Sequence, residues 1–496
     1  MPKRAGGDWM DGHRNPGRPS VMTDDLLFLS AVDAAALIRR RKLSPVDYVE
    51  AVLAAIERTQ PKINAFVTVM ADAARDAARA AEAAVISGAP LGPLHGVPVS
   101  IKDLIDVAGV HTTHGSYIFA DNVATQDGVT PARLEAAGAI IIGKTTTPEF
   151  GHKGLTDSPL QGITRNPWAL DRTTGGSSGG AAGAVAAGLG PLAVGTDGAG
   201  SIRGPAATCG IVGLKPTLGA IPMETASDVF ANNAFAGPMT RTVADAALMF
   251  PTMVGPDDRD PWSLAQAGVR PVAPLLMGQR LTGIRIGYIA KMANTQVDDA
   301  VQANTDAALK TLAALGAEIE PVTEAIDWIE YEGRVLYQSA IAAKMLPRFP
   351  QWRDKMDKSL IAFAEWGAGF SMTDVRNAEY ARTGLFQAVQ RLFRRYDFLV
   401  SPTTARTALD ATFDATQPVI INNQPCGLTR QSWTAYQYPF NLTGHPAISV
   451  PSGWTGDGLP TGLQVVGRWW ADMDVLRIAA LFEQARPWAD RRPAVA

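Results

Sequence analysis

The feature that most narrows what this chain can become is a run of glycine, alanine and serine, TTGGSSGGAAGAVAAGLGPLAVGTDGAGSIRG, between residues 173 and 204. Gly175, Gly176, Gly179 and Gly180 bracket Ser177 and Ser178, so the backbone there can adopt conformations closed to other residues. The alanine- and glycine-rich stretch that follows reads as a helix whose small side chains let it pack very closely on a sheet. Gly198, Ala199 and Gly200 then precede Ser201, where several backbone N–H groups can converge on one point, as an oxyanion hole requires. A serine nucleophile needs a base, and no histidine lies nearby in the sequence.

The base has to come from elsewhere. Lys102 ends a short strand, Val97–Lys102, in the segment GVPVSIKD. An ordinary lysine titrates near about 10.4 and cannot act as a base at neutral pH. Burial disfavours its charged form and lowers that value by several units. A lysine at the end of a core strand, among Val, Ile and Pro, is placed for such a shift. Taken alone, a lysine in this setting is more often a snorkelling surface residue.

The chain has 496 residues, enough for several domains or one unusually large α/β unit. Residues 1–22 mix Gly, Pro, Asp, Arg and His without periodicity and read as a disordered tail, with Met22 a candidate native start. Helical signals follow: Ser30 with Asp33 as a capping box, and Ser44 as N-cap before Pro45. Val49, Val52, Leu53 and Ile56 then repeat at helical spacing. An Ala-rich helix is expected over Asp72–Val85, and a shorter one near Pro131–Ala137. Strands are expected at Ala139–Gly143, Leu192–Gly195, Ile284–Ile289, Phe398–Val400, Ala447–Val450 and Leu463–Val466. A helical pattern through Val301, Ala308, Leu312 and Leu315 links Ile284–Ile289 to a strand near Ile319. That is a βαβ unit with parallel neighbours and helices on the sheet faces. A last helix begins near Asp472. Residues 325–395 differ, being helical, rich in aromatics and free of a clear strand. They read as a helical subdomain with an aromatic core, or as a lid that supplies an apolar wall for substrate.

Composition removes several classes of function. With 45 Lys and Arg against 48 Asp and Glu, the net charge of −3 gives no reason to expect nucleic acid as a partner. Two cysteines, Cys209 and Cys426, are too few for a disulfide framework, which points to the cytoplasm. The six histidines fall at no metal-ligand spacing, so neither metal nor cofactor is expected. No segment reads as a secretory signal or membrane span.

The motifs HGVPVSIKD, GKTTTPEFG, TRNPW, GGSSGG, GTDGAGSIR, CGIVGLKPT and GPMTRTVADAA occur in order, followed by NLTGHPAISVPSG and GLPTGLQVVGR. Together they resemble the amidase signature family over about residues 25–490. The resemblance implies an α/β/α domain over 23–496 with a mixed central sheet and a Ser–cis-Ser–Lys triad. Matched motif by motif, Ser201 is the nucleophile, Ser177 the proton relay and Lys102 the base. Backbone N–H groups of Gly198, Ala199, Gly200 and Ser201 form the oxyanion hole. Ser178 supports the triad by hydrogen bonding, while Asp197 and Arg203 act as structural ties. Gly151, just after GKTTTPEF, lies where the family brings backbone near the acyl group. The family often has Gly-Gly before the nucleophile, and this chain has Ala199-Gly200. The alanine keeps its N–H donor provided that its φ is negative. The implied substrate is a small amide, anilide or carbamate, and a homo-oligomer remains open.

Two other readings compete with this one. Within the family, the chain could be the glutaminase subunit of a tRNA-dependent amidotransferase, whose pocket would need charged groups for an amino acid. Outside it, GGSSG fits the nucleophile elbow GxSxG, with His445 as the downstream histidine. The elbow needs a strand directly before it, and Asn166–Thr174 reads as polar and turn-like.

Overall fold

The computed structural model describes residues 23–231, 233–264 and 280–495. The tail expected at 1–22 lies outside them. Eleven strands build one mixed sheet. In chain order they are β1 (Phe66–Val69), β2 (Pro98–Lys102), β3 (Ile140–Thr145), β4 (Leu192–Asp197), β5 (Val212–Lys215) and β6 (Phe235–Thr240). Then come β7 (Arg285–Tyr288), β8 (Glu318–Pro321), β9 (Phe398–Pro402), β10 (Ala447–Trp454) and β11 (Pro460–Val466). Across the sheet they run β1-β3-β2-β4-β6-β5-β10-β11-β9-β7-β8.

The parallel parts sit where the sequence alternates strand and helix. β2 pairs parallel with both β3 and β4. Every residue of these three strands is buried, which is why they read as near-continuous apolar runs. The expected βαβ unit is present: β7 pairs parallel with β8, Ile286 opposite Ile319, and the helix Asp299–Ala314 connects them. The helix Pro45–Ile63 starts as its sequence dictates, the Ser44 side chain accepting from the N–H groups of Val46 and Asp47. Its buried face includes Val49, Val52, Leu53 and Ile56.

The helix Gly179–Ala186 is buried at every residue and packs on β2, β4 and the helix Arg203–Cys209. Residues Glu330–Met345, Lys358–Gly367 and Met372–Arg395 are helices. Their aromatics divide: Phe363 is buried against the ring of His152, whereas Tyr331 and Trp366 are exposed.

Two features depart from expectation. β6 contains Gly237 and Pro238, residues that normally weaken a strand, yet it is a central one between β4 and β5. Neighbouring strands impose the conformation there. Residues 166–174 are more than a turn: Arg165–Asn166 pairs antiparallel with Ala169–Thr173 as a small ribbon around a turn at Pro167 and Trp168. The Asn166 amide holds it, donating to the carbonyls of Thr173 at 3.1 Å and Thr208 at 2.9 Å. Of the polar residues there, Asp171 is exposed, whereas Asn166, Thr173 and Thr174 are buried. Among the described residues no helix is long and apolar enough to cross a membrane.

Candidate active site

The carboxyl ends of β2 and β4 lie side by side, and β2 delivers Lys102 there with no exposed surface. Its Nζ lies 2.6 Å from Ser177 Oγ, 2.9 Å from Ser178 Oγ and 2.9 Å from Thr196 Oγ1. All of these partners are neutral oxygens. Burial therefore pulls the lysine well below the ordinary 10.5, opposed only by the more distant charge of Asp197. Ser177 follows a cis peptide bond from Gly176. Ser178 joins the segments: its Oγ donates to the Thr196 carbonyl at 3.0 Å, and its N–H donates to the Ser201 carbonyl at 3.2 Å. Lys102 thus meets Ser177 and Ser178 through side chains, and Ser201 joins them through its backbone carbonyl.

The loop from Asp197 to Arg203 is held by a buried knot. Arg203 grips both carboxylate oxygens of Asp197, Nε to Oδ2 at 3.0 Å and Nη2 to Oδ1 at 3.1 Å. It also donates to the Gln437 carbonyl at 3.0 Å, Gln464 Oε1 at 2.7 Å and Asn441 Oδ1 at 2.5 Å. Burial alone would raise the Asp197 pKa, but the guanidinium overrides it and holds the carboxyl well below its usual range. Asp197 and Arg203 tie the loop to Gln437, Asn441 and Gln464. Thr196, Gln437, Asn441 and Gln464 were not anticipated, although NLTGHP and GLQVVGR carry two of them.

In that loop Gly198, Ala199 and Ser201 are only partly buried, in otherwise buried surroundings. Their N–H groups make no hydrogen bond to the described residues, and Ala199 has a negative φ, so its donor is kept. Gly200 differs from the expectation. Its N–H is already given to Asp197 Oδ1 at 2.5 Å, because the buried carboxylate gathers the donors beneath the loop. With φ +108° and the Gln437 side-chain oxygen 1.6 Å from where a Cβ would stand, this position admits only glycine.

A sequence profile of the amidase family matches residues 47–476. The chain belongs to that family. An acylamidase from Rhodococcus erythropolis is 41% identical over 95% of this chain and 98% of its own length. One of the subunits of the glutamyl-tRNA(Gln) amidotransferase of Symbiobacterium thermophilum is 36% identical over 94% of this chain and 99% of its own. Among solved structures, a bacterial aryl acylamidase of the amidase signature family superposes with a TM-score of 0.84 at 31% identity. That match covers 93% of this chain and 97% of the other. As a member of the amidase family, the chain is an amide hydrolase.

The amidase motif GKTTTPEFG ends against the serines. Gly151 has φ +67°, and a Cβ there would stand 3.1 Å from Ser177 Oγ. Its neighbours are clamped to the helical region. Glu149, 1% exposed, accepts from Ser116 Oγ at 2.6 Å and from the Asp357 N–H at 2.7 Å. Burial raises its pKa in spite of these donors. Lys153 bridges Asp157 at 2.8 Å and Asp357 at 2.7 Å, and the Tyr337 hydroxyl donates to the His152 carbonyl. His445 has no place in this site. Its Nδ1 pairs with Thr443 Oγ1 at 2.9 Å, and its ring stacks on Phe393, so it is not the partner of a serine elbow. Among the described residues no group of His, Cys, Asp or Glu could hold a metal ion.

Proposed function

We propose that this amidase hydrolyses acyl C–N bonds of small amides, anilides or carbamates through an acyl-enzyme on Ser201. The observation that carries the reading is the buried Nζ of Lys102, 2.6 Å from Ser177 Oγ and bonded to no carboxylate. A neutral amine there takes the Ser177 proton while Ser177 takes the proton of Ser201. Ser201 Oγ then forms a bond to the substrate carbonyl carbon. The oxyanion that develops is met by the N–H groups of Gly198, Ala199 and Ser201. As the C–N bond breaks, Ser177 returns a proton to the leaving nitrogen and recovers its own from Lys102, since an amide anion is a poor leaving group. Water, activated by the same relay, then cleaves the acyl-enzyme.

The acylamidase and the aryl acylamidase among its relatives favour amides and anilides as substrates. The two cysteines, both buried and unpaired, fit a reducing compartment such as the cytoplasm. The test is a panel of anilides, carbamates and activated esters, with Ser201→Ala as control and a fluorophosphonate label mapped by mass spectrometry. Turnover is expected to vanish in Ser201→Ala, with the label on Ser201. A label on Ser177 would overturn the assignment. The 36% identity to a component of an amidotransferase keeps a glutaminase reading in view. Release of ammonia from glutamine by the isolated chain would favour it.

A further inference from the structure

The loop that carries Ser177 and Ser178 rests on a bed formed by residues 151–156. Thr156 spans the loop: its Oγ1 donates to the Gly175 carbonyl at 2.8 Å and accepts from the Gly179 N–H at 3.1 Å. Between those ends, a Cβ on Gly176 would stand 2.6 Å from the backbone of Leu155. One on Gly151 would stand 3.1 Å from Ser177 Oγ. No slack separates loop and bed, so a shift of one displaces the other.

Residues 152–156 lie outside any helix or strand, and much of their fixing comes from Asp357, 204 positions after Lys153. Asp357 caps the helix Lys358–Gly367, and its Oδ2 takes the Lys153 ammonium at 2.7 Å. Its own N–H donates to Glu149, on the other side of Gly151, at 2.7 Å. A third tie runs through His152. The ring Nδ1 faces the Glu149 carbonyl at 2.8 Å, and Nε2 faces Ser359 Oγ at 2.8 Å. That Oγ faces Asp357 Oδ1 at 2.6 Å.

Each of these three contacts of the His152 tie needs one hydrogen, and the sources can be counted. A carbonyl only accepts, so Nδ1 donates. Asp357 Oδ1 already accepts from the N–H groups of Ser359 and Leu360. Burial alone would raise the Asp357 carboxyl, but His152 and Lys153 override it and hold it well below its usual range. An ionised carboxylate has no hydrogen to give, so the single Ser359 hydrogen goes to Oδ1. The hydrogen between Ser359 and the ring then comes from Nε2. His152 thus carries a hydrogen on each nitrogen and is a cation beside the Asp357 carboxylate.

We propose that Asp357 is a positioning residue for the reaction: through the cationic His152 and Lys153 it fixes the bed, and with it Ser177 against Lys102. This rests on the relay proposed above and deepens it by giving the helical region a part in the chemistry.

The test compares an anilide with an activated ester in the whole enzyme. Ser177 has to protonate a leaving nitrogen but not a good leaving alkoxide, so its displacement harms the anilide more, whereas unfolding harms both alike. Asp357→Asn keeps the cap and its N–H but removes the charge. Its kcat per folded molecule on the anilide is expected to fall about 10- to 100-fold, the scale of a misplacement by about 1 Å. KM and the ester rate should change far less. Ser359→Ala, a milder change, should show the same order with a loss of about 2- to 10-fold, the scale of one hydrogen bond. Glu365→Gln, which breaks a surface pair on the same helix, should alter neither substrate. Nitrogen NMR of the wild type at neutral pH should show a histidine with both ring nitrogens protonated, absent from His152→Gln. Unchanged kcat or equal losses on the two substrates in Asp357→Asn and Ser359→Ala would overturn the proposal, as would a His152 ring with a single proton. A fluorophosphonate label on Ser177 would instead remove the relay itself, whatever Asp357 does.

Discussion

Lys102 and Lys144 stand on adjacent parallel strands, both without exposed surface, yet they have opposite chemical fates. Lys144 pairs across the sheet with Ile101 and Lys102 with Thr145. That offset of one residue sends the two side chains to opposite faces. On its face Lys144 meets Asp103 at 3.2 Å and Thr112 Oγ1 at 2.8 Å. Burial lowers its pKa, and the Asp103 carboxylate pulls it back up. Lys102 meets three hydroxyls and no carboxylate, so burial acts almost unopposed. Burial alone therefore does not settle how far a lysine's pKa falls; the partner supplied on the same face decides.

Four experiments can break that contrast or sharpen it. The largest effect is expected from Lys102→Met, which should cut kcat/KM on an anilide by about 10³–10⁴-fold, the scale of a lost acid–base group. Activated esters, whose leaving groups need no proton, should fall less, and equal losses would refute the relay. Lys144→Met should instead cost about 3–5 kcal/mol of stability by stranding the buried Asp103, as thermal or urea unfolding would reveal. The folded fraction should retain its kcat, and loss of activity without loss of stability would contradict the assignment.

Thr196→Val removes one acceptor from Lys102, an effect of about 0.5–1.5 kcal/mol. Because an acceptor favours the charged amine, its loss should move the acidic limb of the kcat profile to lower pH. Movement to higher pH would mean that Lys102 works in its charged form. The smallest signal lies in the pH dependence of melting. A folded pKa below 10.5 means that the unfolded chain binds the additional proton between that depressed value and 10.5. Stability should thus rise with pH across this window, and Lys102→Met should flatten the rise more than Lys144→Met does.

Much of this site could be read before any fold was known, because each of its residues sits in a short motif of its own and the motifs together resemble a known family. GGSSGG, GTDGAGSIR and the strand ending in Lys102 carry their own signals, and β2 and β4 announce themselves by apolar runs. What could not be read are partners brought together only by the sheet. Asn441 and Gln464 reach Arg203 across 238 and 261 residues, and no local spacing encodes that. β6 stayed hidden for a different reason: its Gly237 and Pro238 speak against a strand, and only β4 and β5 on either side make it one. The role of Gly200 was misjudged because hydrogen-bond capacity is visible in sequence, whereas its prior use by Asp197 is not.

The knot around Arg203 also sets an order of events during synthesis. The lysine and both serines have left the ribosome long before residue 464 is made, but the loop bearing Ser201 rests on an arginine whose acceptors include Asn441 and Gln464. Until those arrive, the nascent polypeptide carries all three reactive groups without the support that aligns them. Full support of the loop bearing Ser201 therefore waits until residues 441 and 464 have been made.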